Sequence, residues 1–293
     1  VKALLFRVLP ALLVGVVGLG VASCNGTTGD ELITFPAYAA GAPGASQPFS
    51  VNGFTVKLTY AQMYIGAVYI DEAPLATASE SPICINPGIY AAQVPGGVEV
   101  NLLSTTPQAF SVPGNGTADL GQSWELWLTD GDVNNPDNTG YGVPNTVDLQ
   151  GTATRQSDGK VFSFAATVNI NQDNRGVPVS DPSQPGQSPI CKQRIVEIGG
   201  ISLQLSSGGA LQVTVDPRGW FNLDIDFGAL PLVTSGACDL DQNSIYGDAE
   251  YCIPDTNFGE QYGPLGATQG RNLYTGIFTA GPAAYALSYG GQP

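Results

Sequence analysis

The chain contains no histidine. That absence excludes Ser-His-Asp and Cys-His nucleophilic catalysis, His-Glu-x-x-His zinc hydrolysis and His-ligated copper or haem. Basic residues are scarce: 10 Lys and Arg stand against 25 Asp and Glu in 293 residues, a net charge of −15. A polyanion of this kind repels nucleic acid, so no nucleic-acid partner is expected. Neither a phosphate-binding Gly-x-x-x-x-Gly-Lys-Ser/Thr segment nor a dinucleotide fingerprint in a βαβ context is present, so no nucleotide cofactor is expected. No Cys-x-x-Cys pair occurs, which argues against a four-cysteine metal site. Past the N-terminus, no segment keeps a 3.6-residue apolar period over three turns, so helical folds are not expected. Among enzymatic routes, carboxylate-only chemistry is what these absences leave.

What is present begins with VKALLFRVLPALLVGVVGLGVASC. Lys2 and Arg7 precede an apolar run from Val8 to Val21, and the small residues Ala22 and Ser23 lead to Cys24. The run is too short for a membrane span, and the order is that of a secretory signal peptide. Val21-Ala22-Ser23-Cys24 resembles a bacterial lipobox. The resemblance covers residues 1–24 and implies cleavage before Cys24 and lipidation of its thiol. Acyl chains contribute roughly 0.8 kcal/mol per buried methylene, enough for several chains to hold the protein on a membrane. Asn25 is not the aspartate associated with inner-membrane retention, which favours the outer membrane. Removing residues 1–23 takes away two basic residues and no acid, so the mature chain is more acidic still.

Cys84, Cys191, Cys238 and Cys252 remain. An even number in an exported chain implies two disulfides, with three possible connectivities. The repeated Ser-Pro-Ile-Cys at 81–84 and 188–191 and the closeness of the other two point to Cys84–Cys191 and Cys238–Cys252.

Residues 24–48, rich in Gly, Ala, Ser, Thr and Pro, read as a lipidated tether, and 49–293 as the body. In the body, strand alternation dominates. Ile201, Leu203 and Leu205, then Leu211, Val213 and Val215 after Ser-Ser-Gly-Gly, predict a hairpin with one apolar face. Val147 and Leu149, then Phe162, Phe164, Ala166, Val168 and Ile170 after Ser157-Asp158-Gly159, predict a second hairpin. Phe221, Leu223, Ile225 and Phe227 predict a strand with these four inward. Further strands are expected near 50–60, 62–70, 97–103, 123–129 and 272–288. The 38 glycines and 22 prolines punctuate these runs. The expected fold is all-β: an antiparallel β-sandwich with long Gly/Pro-rich loops. The connection 171–190 either divides the body in two or is one long loop of a continuous domain.

Four segments carry candidate chemistry. In CDLDQNSIYGDAEYC, Asp239, Asp241, Asn243, Ile245 and Glu250 occupy positions 1, 3, 5, 7 and 12 of a twelve-residue stretch. This spacing resembles an EF-hand calcium loop, in which hard oxygens and one backbone carbonyl converge on the ion. Ser244 stands where the loop has glycine, Tyr246 where it has an aliphatic residue, and the flanks do not read as helices. The alternative is a disulfide-closed polar loop. In DGDVNNPDNTG, Asp130, Asp132, Asn134, Asp137 and Asn138 form a second calcium candidate lacking the terminal carboxylate, or else a polar turn. In the strand WELWLTD, Trp127 shares the more polar face with Glu125. It is either an exposed platform for a sugar ring or an aromatic covered by another layer. Asp224 and Asp226, roughly 7 Å apart on the expected strand, fall in the carboxylate range of inverting glycosidases, although any polar strand face can show Asp-x-Asp.

The functional expectation is an exported, lipid-anchored envelope protein that binds a glycan or protein partner or is purely structural, with calcium as a stabilising ion. A carboxylate-dependent glycan-active enzyme using Asp224 and Asp226 is the alternative.

Overall fold

The computed structural model describes residues 31–74, 90–128, 146–168, 194–197, 201–223, 225–230, 250–253, 272–273, 276–277, 280 and 283–291. In chain order its first strands are β1 (Leu32–Phe35), β2 (Ala37–Gly41), β3 (Phe49–Val51), β4 (Phe54–Ile65), β5 (Ala67–Asp71) and β6 (Tyr90–Val94). Then come β7 (Val98–Asn101), β8 (Gln108–Ala109), β9 (Gly114–Thr117), β10 (Leu120–Gly121), β11 (Ser123–Trp127) and β12 (Val147–Arg155). The last are β13 (Val161–Val168), β14 (Arg194–Glu197), β15 (Leu203–Gln204), β16 (Ala210–Val215), β17 (Glu250–Ile253) and β18 (Tyr285–Gly290).

One six-stranded sheet runs β1-β9-β6-β5-β11-β14. A second runs β17-β13-β12-β4-β3, with β7 paired to the far half of β4. A four-stranded sheet, β18-β16-β2-β8, and the pair β10-β15 complete the described topology. The architecture is all-β and sandwich-like. Pairing is antiparallel except at β13–β17 and β16–β2, which are parallel. The inward faces meet in one apolar cluster that draws residues from Ile33 through Tyr285.

The alternation that predicts strands also sets their register. Val147, Leu149 and Ala153 of β12 and Phe162, Phe164, Ala166 and Val168 of β13 point into the core, and the two strands form the expected antiparallel hairpin. Gly159 closes its turn at φ +71°, a conformation that glycine adopts without a Cβ clash. In β4 the buried set changes phase: Phe54, Val56 and Leu58, then Ala61, Met63 and Ile65. A one-residue slip would turn the second set outward. A bulge prevents this, because Gln150 faces Tyr60 and Gly151 faces Leu58, leaving Thr59 without a counterpart.

Four expectations are corrected. Residues 31–48 belong to the body, not to a tether. β2 lies inside the four-stranded sheet, and Ile33, Phe35, Ala37, Ala39, Ala40 and Ala45 are buried. Small residues there serve close packing: a Cβ on Gly41 would lie 1.9 Å from the Leu102 carbonyl oxygen. Residues 201–215 do not form a hairpin. β15 pairs with β10, and β16 lies between β18 and β2. The expected inward faces hold, with Leu203, Leu205, Leu211, Val213 and Val215 buried, because alternation fixes a face and not a partner. The described residues of 220–227 do not form a strand. Asp216 caps a 3-10 turn, Pro217–Asn222, by accepting from the Arg218 backbone N–H at 3.0 Å, and Pro217 enters it at the position where a missing N–H costs nothing. Trp220 and Phe221 are consecutive and both buried, which one strand face cannot achieve. Finally, of the strand expected over 272–288, the described residues before Tyr285 are not in a strand, and β18 begins at Tyr285.

Candidate functional site: a buried acidic and aromatic sheet face

β5 and β11 are neighbours in the middle of the first six-stranded sheet, and all five residues of each are buried. Both faces of this part of the sheet are therefore covered. Trp124, Leu126 and Ile70 enter the main core. On the other face the register sets Ser123 opposite Asp71, Glu125 opposite Tyr69, and Trp127 opposite Ala67. Asp71 also pairs with Tyr90 across a bulge in β6.

This second face holds the buried charged side chains of the described residues. Asp71 and Glu125 are both 0% exposed. They occupy diagonal ladder positions, roughly 7–8 Å apart. The Trp127 indole N–H donates to Glu125 Oε2 at 3.0 Å. Ser123 Oγ donates to the Ala73 carbonyl at 2.7 Å and lies 3.5 Å from Asp71 Oδ2. Tyr69 packs edge-on against Trp127, with centroids 6.0 Å apart, and tilts against Tyr90 at 4.7 Å. Ala67, Tyr69 and Trp127 form an apolar cluster separate from the main core, with Tyr90 against it. Burying a carboxylate is costly without hydrogen bonds, and the indole N–H is one of those that offset the cost at Glu125.

Of the two readings of Trp127, an exposed sugar platform or an aromatic covered by another layer, the geometry has the second. Trp127 is 2% exposed, so its ring offers no open face, and its polar edge is turned to Glu125. Alternation had put both residues on the polar face correctly, but a polar face is not always a wet one. Sequence reasoning missed Asp71 and Tyr69. Their signal is the nearly unbroken apolar run AVYI ending in Asp71, since a strand buried on both faces reads as a continuous apolar run.

The other sequence candidates are not gathered here. Asp226 is exposed and caps a second 3-10 turn, Phe227–Ala229, by accepting from the Gly228 N–H at 2.8 Å. It lies at an open polar depression of about 720 Å³ with Asn52, Gly53, Phe54, Arg155, Gln156 and Ser157. The Arg155 guanidinium there lies 5.0 Å from the Phe162 ring centroid and pairs with Asp158 at 3.1 Å. Asp224 lies outside the described residues, and Asp226 is not in a strand. Arg218 donates to Asp216 Oδ1 and Oδ2 at 2.8 and 2.6 Å.

Asp239, Asp241, Asn243 and Ile245, and Asp130, Asp132, Asn134, Asp137 and Asn138, lie outside the described residues, as do Cys24, Cys84, Cys191 and Cys238. Glu250 opens β17, whose backbone runs parallel to β13, with Cys252 opposite Ala165. A strand thus follows the Asp239–Glu250 segment where an EF-hand has a helix. Among the described residues, no group of three or more Cys, Asp or Glu converges as a metal site would require. The chain matches no protein-family model, no curated protein and no solved structure.

Proposed function

We propose that the protein is exported, is anchored by lipid on Cys24, and presents a sandwich-like β body at the cell envelope in a non-enzymatic binding or structural role. The observation that carries this reading is the order of the N-terminus: two basic residues, a short apolar run, Val21-Ala22-Ser23, then Cys24. The acidic, histidine-free composition suits a solvated exterior surface. Asn25 favours the outer membrane. The leading partners are a glycan or a protein, and the Asp239–Glu250 segment is the first place for a stabilising calcium ion.

The roles of four described acids support a non-enzymatic reading. Asp216 binds Arg218, Asp158 binds Arg155, Asp226 caps a turn, and Glu125 accepts from Trp127. Burial of Trp127 favours a structural role over sugar stacking at that residue.

The test is a Cys24→Ser variant expressed in a host that processes lipoproteins. It moves from the membrane fraction to the soluble fraction, and the parent loses acyl mass when the modification is blocked. Equal fractionation of variant and parent overturns the lipid-anchor reading.

A further inference from the structure

Resting on the lipid-anchor reading, the geometry points to a membrane-facing corner of the body, formed by the start of β1 with β9 and β10. We infer that Leu32 and Leu120 there contact the neutral headgroup layer of the bilayer that holds Cys24.

The first observation is chain length. Composition places the start of the body at 49, but the folded strands begin at Leu32. Only residues 25–30 then separate Cys24 from Glu31. A chain of that length reaches at most about 25 Å when fully extended. A lipid on Cys24 therefore keeps Glu31 within that distance of the acyl layer. The spacer expected up to residue 48 is shortened, because residues 32–35 and 37–41 of it are strands of the body.

The second observation is what this corner exposes. Leu32 is 76% exposed, the highest value among the exposed large apolar residues described. It alternates with buried Ile33 and Phe35, so its outward direction is set by the strand and not by a fraying end. The Glu31 carbonyl accepts from the Ala118 N–H at 2.7 Å, which brings the 117–121 turn to the same corner. Leu120, 37% exposed, lies on that turn. β1 is also the edge of its sheet, so this corner is an end of the molecule and not a concave wall.

Charge selects among lipid surfaces. Glu31 is exposed and Asp119 half-buried beside the two leucines. An anionic leaflet repels such carboxylates, whereas a zwitterionic one accepts apolar side chains without that opposition.

The experiment uses the full lipidated chain, reconstituted into phosphatidylcholine vesicles containing nitroxide-labelled lipid. An environment-sensitive fluorescent amino acid replaces Leu32 in one sample. In another it replaces Ser157, exposed on the β12–β13 turn of a different sheet. Vesicle flotation is scored first. Expected are flotation of both samples, quenching at least about twofold stronger at 32 than at 157, and weaker quenching at 32 when about a third of the lipid is anionic. Flotation with equal quenching at the two positions overturns the membrane-facing corner while leaving the lipid anchor standing. Quenching at 32 that is unchanged or stronger with anionic lipid overturns the headgroup assignment. Failure to float overturns the anchor itself, and with it this inference.

Discussion

Trp127 and Glu125 define what a single buried hydrogen bond does in this sheet. Leaving a buried acceptor without one of its donors costs about 1–3 kcal/mol, and removing indole volume adds a cavity term. Trp127→Phe is therefore expected to destabilise the fold by about 2–4 kcal/mol in urea unfolding, and Glu125→Gln, which keeps an acceptor oxygen, by less than Glu125→Ala. A Trp127→Phe variant as stable as the parent would show that this bond carries no stability. Asp158 gives a pH prediction. The Lys160 backbone N–H, bonded to its carboxylate, and the neighbouring Arg155 hold its pKa below the usual aspartate range. A depressed acid contributes stability above its unfolded pKa and loses it as pH falls through the folded pKa. Carboxyl NMR should find Asp158 titrating below an ordinary aspartate, near 3.9, and Arg155→Gln should raise its midpoint only part of the way. Tyr285 is the reverse case. Complete burial pushes its phenol well above the ordinary range. Its hydroxyl donates to the Ile277 carbonyl at 2.8 Å. The folded state therefore keeps its proton while the unfolded chain releases it, and stability falls as pH rises past about 10.

At the scale of the element, the informative strands are β1 and β2. If 25–48 were a tether, deleting it would leave the body intact. Because β2 lies between β16 and β8, the 25–48 deletion removes an internal strand and should abolish cooperative unfolding, whereas deleting only 25–30 should leave the melting temperature near that of the parent. Circular dichroism melts of the two deletions, made on a Cys24→Ser background, distinguish the cases. Glycine positions in these strands are packing positions. On Gly151, beside the bulge, a Cβ would lie 2.6 Å from the Lys57 carbonyl oxygen and 3.0 Å from Phe164. Gly151→Ala is expected to cost about 1–3 kcal/mol, by overpacking of a filled core. The strands legible in sequence were those with a one-face apolar repeat, such as β12, β13 and β16. Those that escaped it, β1 and β2, are short, and β2 is built mostly from small residues; their burial depends on neighbours far along the chain.

For the whole molecule, calcium is the variable to change first. A ligand bound only by the folded state stabilises it by about 2.7 kcal/mol at a hundredfold excess over Kd. Under non-reducing conditions, the Cys24→Ser protein should melt higher in millimolar calcium than in chelator or magnesium. The effect should be lost with Asp239→Asn/Asp241→Asn if that segment holds the ion, and with Asp130→Asn/Asp132→Asn if the second does. No shift in the parent would leave CDLDQNSIYGDAEYC as a polar loop.

Sequence by itself determined the all-β class, through period-two alternation and the want of any helical period, and it determined the inward faces of β12, β13 and β16. It also sufficed to exclude histidine chemistry, since an absent side chain cannot be supplied by folding. Tertiary structure alone decided which strands pair, because alternation selects a face and says nothing about the neighbour. It decided that Pro217–Asn222 turns where alternation predicted a strand, the Asp216 cap and proline prevailing over the apolar pattern. It decided that residues 32–41 are body, since two short strands among Gly, Ala and Pro carry too little alternation to be told from a tether, and the small residues of β2 suit either. And it decided that the Trp127 face is closed, because whether a polar strand face meets water depends on what the rest of the chain lays over it.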